Sequence, residues 1–456
     1  MTNAKRLAAA ALALCALAAN ATDLMEAWQA ARQHDPEAAV SQASRLVGEA
    51  RRAQAASLWR PSVTLSGTAG RMNADTGMTG ARFAAPSFGQ SDGVAFSTSI
   101  HDGTTTRWEL NARQPLFNRE RQAQGRQLEI EADAANLEWL SARQDLMLRT
   151  AQRYFDVILA GRKLDLLRQQ QRAVEKALAE AKDRFALGDV PITDTHEAAA
   201  RAQGLHAQVL SAESELQLTQ VALADATGLT NPSPQPLPAE SDVVPADLQL
   251  LEHWLAEAME KNPLLRMQLA HVQAAQQEIV KHSATAAATL DLIGQAKRER
   301  LSGNGDFGAA SNTVSQQMIG VQLNVPLYTG GYRSARQEEA LHLEEKARAE
   351  VERTRQQISQ QTRSAWLGLH AGRARITALS ESLKASQARL GATQLGRQVG
   401  DRTTLDLLNA ENDASGAELA LVQARIEMLL NQLRLYALAG QLDDSRLEAV
   451  NALLRR

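Results

Sequence analysis

Apolar residues recur along this chain with two periods. From 119 to 187 they fall at mixed three- and four-residue spacings with no proline, which predicts one helix. A second run of the same kind covers 333–398. At 1.5 Å rise per residue, such a helix extends on the order of 100 Å. That is far beyond a usual globular helix. It needs partners along its whole span, so coiled-coil packing is expected. Alanine blurs the heptads, and no strict register can be assigned. Elsewhere the period drops to two. At 62–71, Val63, Leu65, Gly67 and Ala69 alternate with Thr64, Ser66 and Thr68. The stretches 107–116, 289–297 and 318–328 alternate likewise, the last through Ile319, Val321, Leu323, Val325 and Leu327. These predict four strands of about ten residues, the length of a tilted barrel strand across a bilayer. The intervening 72–105 and 299–315 are rich in Gly, Ser, Thr, Asn and Asp and predict polar loops.

The order of elements repeats. A helix from 23 to about 57, interrupted at Pro36, precedes the first strand pair, and one from 251 to about 287, with Asn262-Pro263, precedes the second. Each strand pair leads into a very long helix, a tight turn and another helix. The turns contain Gly188 and Gly400, each able to take the positive φ that ends a helix. Asp194 and Asp406 follow them at equal distance, and Gly228 and Gly440 close the two units at equal distance again. Thr403 or Thr404 can cap the helix that contains Asp406. The predicted organisation is a leader at 1–21, a first repeat at 22–230, a proline-rich connector at 231–250, a second repeat at 251–440 and a tail at 441–456. The connector holds Pro232, Pro234, Pro236, Pro238 and Pro245 and cannot be a helix or a central strand.

Composition narrows the function. Aromatic residues make up only 4% of the chain while alanine is abundant, which suits closely packed helices better than a thick core. The N-terminus reads as a secretory signal. Lys5 and Arg6 precede an apolar run at 7–18, and Ala19-Asn20-Ala21 is a cleavage site; an uncleaved anchor is the other reading. Cys15, the single cysteine, lies inside this run behind Leu14, which argues against lipidation. Cleavage would leave no thiol. A formal charge of −3 does not suggest nucleic-acid binding. The nine histidines, His196 and His206 among them, show no metal-ligand spacing, and no phosphate loop or nucleophile elbow occurs. No enzyme, metal site or cofactor is expected. A membrane role would have to come from the strands. A soluble sheet fits the alternation equally, but four strands cannot close a barrel alone, and their edges and apolar faces would need other copies.

The residues that carry a family resemblance are DLMEAWQAARQHDP from Asp23, QPLF from Gln114, VPLYTGG from Val325 and GDRTTLDLLNA from Gly400. In this order and spacing they resemble the TolC family of outer-membrane channel proteins, over essentially the whole mature chain and in its non-lipidated, secretion-type branch. The resemblance implies a homotrimer whose twelve pooled strands form one barrel in outer-membrane lipid. Its helices would form a periplasmic tunnel. It implies a periplasmic adaptor and an inner-membrane transporter, ABC or proton-driven, as partners. It places the two turns at a gated periplasmic entrance. Asp406 matches an aspartate lining the constriction; as a helix N-terminal acid it has an equally direct explanation. Arg402 matches a basic residue linked to an acid that matches Asp194; an ordinary exposed pair is the other reading. Asn409 stands where some members carry a second acidic ring, and Arg397 where some carry a tyrosine. The functional alternative is a periplasmic coiled-coil structural or adaptor protein, which explains the helices but not the strands.

Overall fold

The computed structural model describes residues 22–87, 89–238, 249–284 and 287–454. The leader at 1–21 with Lys5, Arg6 and Cys15 lies outside the described residues, as does half of the connector, 239–248. The elements, in chain order, are α1 (Leu24–His34), α2 (Pro36–Ser57), β1 (Ser62–Ala85), β2 (Gly89–Phe117), α3 (Arg119–Ala186) and α4 (Ile192–Thr227). They continue as α5 (Leu251–Lys261), α6 (Pro263–Ala284), β3 (Thr289–Gly305), β4 (Gly308–Asn324), α7 (Tyr332–Gln398), α8 (Thr404–Leu438) and α9 (Asp444–Leu454). The chain divides into two compact units. A helical unit comprises Met1–Gly48, Asp133–Leu269 and Ala349–Arg456, and a strand unit comprises Glu49–Ala132 and Ala270–Arg348. The units cut across the sequence repeats, each drawing chain from both.

In the helical unit, α1 ends where Pro36 begins α2. The Asp35 carboxylate accepts from the Glu37 and Ala38 N–H groups at 2.8 and 3.2 Å, so a buried acid caps the new helix. Asn262 does the same for α6, accepting from the Leu265 N–H at 3.1 Å, and it also donates to the Leu438 carbonyl at 2.9 Å. The core joins Leu24 and Trp28 of α1, Met147, Tyr154 and Phe155 of α3, Leu369 of α7 and Leu429 and Leu433 of α8. The Tyr154 hydroxyl donates to the Thr22 carbonyl at 3.0 Å and accepts from the Gln235 N–H at 3.1 Å. Burial pushes its pKa up to about 12.

The stretch at 441–456, expected as a polar tail, contains helix α9, and this corrects the sequence reading. Leu447, Val450 and Leu454 enter the same core. Asp444 accepts from the Trp28 indole N–H at 2.9 Å and from Arg143 at 2.8 Å. The wholly buried Asn451 accepts from the Leu24 N–H at 3.1 Å, satisfying one of the free N–H groups at the start of α1. Apolar residues spaced over a single short helix gave too weak a periodic signal to set against the flanking charges.

The strand unit holds one antiparallel sheet in the order β1-β2-β3-β4. The strands greatly exceed the expected 62–71, 107–116 and 289–297, and β4 stops at Asn324, short of 328. The expected loops at 72–105 and 299–315 are therefore largely paired strand. Pairing continues to Ala85↔Gly89 in the first hairpin and to Gly305↔Gly308 in the second. Alternation marks only strands with one apolar face. These outer stretches are mostly exposed, with Ile100 and Leu301 the buried apolar exceptions, so Gly, Ser and Thr serve, and cross-strand backbone bonds hold them. The longer first hairpin takes up its irregularity at three register shifts between Met72 and Phe83. Val325 and Leu327 alternate in sequence, but Pro326 lacks the N–H that a ladder needs.

Gly440, just beyond α8, has φ +68°, and a Cβ there would stand 2.4 Å from the Lys261 carbonyl oxygen. Gly416, inside α8, has open space around it. Gly440→Ala should lower stability by about 1–2 kcal/mol or more, and Gly416→Ala should raise it by roughly 0.5–1 kcal/mol. Thermal unfolding of the two purified variants checks the opposite signs.

Candidate functional site

Among the described residues, polar side chains gather at two places built from both sequence repeats. The first, in the helical unit, is the pair of turns between α3 and α4 and between α7 and α8. Both end their long helix by the same hydrogen bonds. The Gly188 N–H donates to the Phe185 carbonyl at 2.9 Å and the Asp189 N–H to the Arg184 carbonyl at 2.8 Å. The Gly400 N–H donates to the Arg397 carbonyl at 3.2 Å and the Asp401 N–H to the Gly396 carbonyl at 2.8 Å. Gly188 and Gly400 both sit at φ +82°. This is the Schellman geometry, which requires a left-handed residue after the helix cap. The preceding cap residues, Leu187 and Val399, are 77% and 75% exposed. Both turns thus hold an apolar side chain out at the apex.

The helices that follow start differently. Thr403 and Asp406 form a capping box: the Asp406 N–H donates to the Thr403 hydroxyl at 3.0 Å, and the Thr403 N–H donates to an Asp406 carboxylate oxygen at 3.0 Å. Pro191 occupies the corresponding cap of α4 and offers no side-chain bond. Asp194 is exposed, and its carboxylate accepts only a 3.4 Å contact from the Thr193 hydroxyl.

An open cleft of about 840 Å³ separates these turns, lined among others by Asp194, Arg201, Arg397, Arg402 and Leu408. Arg402 lies back along α7, with its Cγ 2.8 Å from where a Gly396 Cβ would be. Among the described residues, no hydrogen bond or ion pair joins Arg402 to Asp194 within one protomer. Arg397 instead forms an ion pair with Glu180 of α3. Asn409 accepts from the Arg201 guanidinium at 2.8 Å. These two contacts tie the α7–α8 pair to the α3–α4 pair, and Val174, Ala177, Ala202, Leu205 and Leu408 pack beneath them. Sequence reading missed Glu180 and Arg201. Both lie on long helices rich in charge, and only the packing of four helices brings each to its partner.

The bonds from the Thr403 backbone and hydroxyl, with Arg402 and Arg389 beyond, hold the Asp406 carboxyl below its usual value of 3.8. At Glu411 burial dominates and raises the carboxyl above its usual 4.5, against the pull of Arg397.

The second place is the sheet of the strand unit. Register puts Val63, Leu65, Leu110, Ala112, Leu292, Ile319, Val321 and Leu323 on one face. Trp108 joins them, its ring over Gly67, where a Cβ would approach to 2.8 Å. The opposite face is polar and internally paired. Arg107 donates to Glu299 at 2.8 and 3.0 Å, and Lys297 lies 3.1 Å from the same carboxylate. Glu109 accepts from Asn111 and Gln295, both at 2.8 Å, and Arg113 pairs with Asp291. An apolar face backed by a hydrated, charge-balanced one is what a strand needs between lipid and a water-filled pore. Among the described residues, no helix is long and apolar enough to cross a membrane.

The chain belongs to the outer membrane efflux protein family, whose model matches residues 27–229 and 254–441. It is 28% identical over 350 residues to the outer membrane protein TolC of Vibrio cholerae, covering 76% of this chain and 79% of that protein. It is 26% identical over 436 residues to the proteases secretion protein PrtF of Dickeya chrysanthemi, covering 95% and 91%. Among solved structures, the Campylobacter jejuni CmeC outer membrane channel matches with a TM-score of 0.71 at 15% identity, over 95% of this chain and 89% of that one. Vibrio cholerae VceC matches at 0.69 and 18% identity, over 91% and 96%. The fold is that of these channels, and the protein is an outer-membrane channel protein. The reading as a pore-free adaptor has no observation in its favour, since the family match spans both strand pairs.

Because the folded Asp406 carboxyl is depressed, its contribution to the start of α8 is present above the unfolded value and fades as pH falls through the depressed one. Hydrogen exchange at the first amides of α8, corrected for intrinsic pH dependence, should rise below a pH of about 4. Thr403→Ala should raise it at every pH, through loss of about 0.5–2 kcal/mol of capping.

Proposed function

We propose that this protein is the exit duct of a tripartite export system, conducting passively what an inner-membrane transporter delivers. The observation that carries the pore is the open sheet. Its edge strands β1 and β4 are unpaired within the protomer, and one face is apolar where the other is ion-paired. Lipid offers no hydrogen bonds, so edges there must be closed by further copies. Three copies supply twelve strands, an even number well inside the range of closed outer-membrane barrels. The names of relatives span both secretion, as in PrtF, and efflux, as in BepC of Brucella suis. A passive duct leaves the choice of cargo to the transporter, whether ABC or proton-driven.

The turns at Gly188 and Gly400 are proposed as the periplasmic entrance, with Leu187 and Val399 as the contact for a periplasmic adaptor. Closure is proposed to rest on Arg397–Glu180 and Arg201–Asn409 within each protomer. Arg402 and Asp194, unpaired within one copy, would be available to meet across neighbouring copies. Asp406 would border the opening as a ring of three carboxylates, each already engaged by its own Thr403.

Planar-bilayer recording tests the reading. The wild-type protein should form pores, and its failure to do so in any reconstitution would sink it. Arg397→Ala with Arg201→Ala should raise single-channel conductance several-fold, because two weak links in each of three copies together remove on the order of a few kcal/mol of bias, enough to shift a two-state population. Unfolding temperature should change little, because these links are partly exposed. Asp406→Asn should lower cation preference without raising conductance.

A further inference from the structure

The charges of the sheet are distributed unevenly between its faces. On the polar face, Arg107, Lys297 and Arg113 each meet a carboxylate. On the apolar face the cations are Arg71, Arg298 and Arg300, and the register sets no acid beside them. Arg298 lies opposite Trp108 and Ser315, Arg300 opposite Thr106 and Thr313, and Arg71 opposite Thr104. All three arginines are exposed. Among the described residues, none of their guanidinium groups has a hydrogen-bond or ion-pair partner.

Their position along the strands is equally regular. Every strand joins a helix at the end bearing Val63, Ala112, Leu292 or Leu323. From that end the face runs apolar to Ala69 in β1, to Trp108 in β2 and to Ala296 in β3. Arg71, Arg298 and Arg300 come next, on the hairpin side of the band. A Trp at the edge of an apolar band marks a membrane interface. Cations just beyond it, facing outward, stand at the depth of lipid headgroups. Arginine pairs with phosphate through two parallel N–H bonds. Thr104, Thr106, Thr313 and Ser315 add hydroxyl donors on the same face.

We propose that Arg71, Arg298 and Arg300 form a docking surface for the phosphates of a multiply phosphorylated lipid in the outer leaflet. The proposal rests on the barrel reading, in which this face meets lipid and the hairpin ends face outward. One protomer presents three unneutralised guanidinium groups on two strands flanking β2. That spread suits a headgroup bearing two phosphates better than one bearing a single charge.

The test uses purified full-length protein titrated with a diphosphorylated glucosamine lipid and followed by native mass spectrometry. The dephosphorylated lipid and inorganic phosphate serve as parallel arms. The wild type should retain the diphosphorylated lipid, and both control arms should bind far more weakly. Combining Arg71→Gln, Arg298→Gln and Arg300→Gln should weaken retention by on the order of a hundredfold while pore conductance stays unchanged. Replacing the three by lysine should restore part of the binding, which separates charge from folding. Equal retention by wild type and the glutamine variant would overturn the proposal, as would equal retention of the dephosphorylated lipid. Lys297→Gln should leave lipid retention intact. If it abolishes retention while the triple variant alters conductance, the faces are reversed, and the barrel reading fails with the proposal.

Discussion

Each protomer leaves the backbone groups along the outer edges of β1 and β4 without a partner strand. In water such an edge is tolerable; in hydrocarbon each unsatisfied N–H or carbonyl costs several kcal/mol. Closure by other copies is therefore a requirement of the membrane-embedded sheet. It also explains why β2 and β3, which are far apart in sequence, pair along nearly the whole length of β3. Pairing the two hairpins through β2–β3 leaves one edge on each side, so every copy can present β1 to the β4 of the next.

The helical unit meets a related constraint. A helix as long as α3 or α7 cannot be stabilised by its own propensity and must pack along its length. The chain supplies this by duplication, with α4 and α8 returning beside α3 and α7 after turns that share one hydrogen-bond pattern. The turns are alike because a helix that reverses direction needs a left-handed residue after its cap, and Gly188 and Gly400 take it without strain. They differ one step later, where Thr403 provides a capping box and Pro191 provides only a fixed φ. The second turn is thus the more firmly defined, and in it the carboxylate of Asp406 already serves the backbone. The place at a pore entrance proposed for Asp406 is compatible with its use as a helix cap, because a capped carboxylate stays ionised and keeps its charge.

Charge is also handled differently on the two faces of the sheet. On the polar face, cations and carboxylates are interleaved and paired, which leaves no strong field of one sign. On the apolar face, the first charges past Trp108 are the arginines Arg71, Arg298 and Arg300. At the headgroup depth proposed for them, an arginine keeps its head in the interface while its stem covers apolar surface.

The sequence by itself determined what local physics writes directly: the long proline-free helices, the glycine turns, the proline breaks at Pro36 and Pro263 and the four alternating strand segments. It also carried the motifs that identify the family. Strand ends were not legible, because mostly exposed stretches of Gly, Ser and Thr lack alternation and look like loops until the partner strand is known. Helix α9 was not legible either, since its place is fixed by Trp28, Arg143 and Leu24, all distant in the chain. At the turns, the sequence marked Asp406, Arg402 and Asp194 but could not show which side chains meet. Only the packing of four helices decided that Arg397 reaches Glu180 and that Asn409 reaches Arg201, because a helix face says which way a residue points and nothing about what lies opposite.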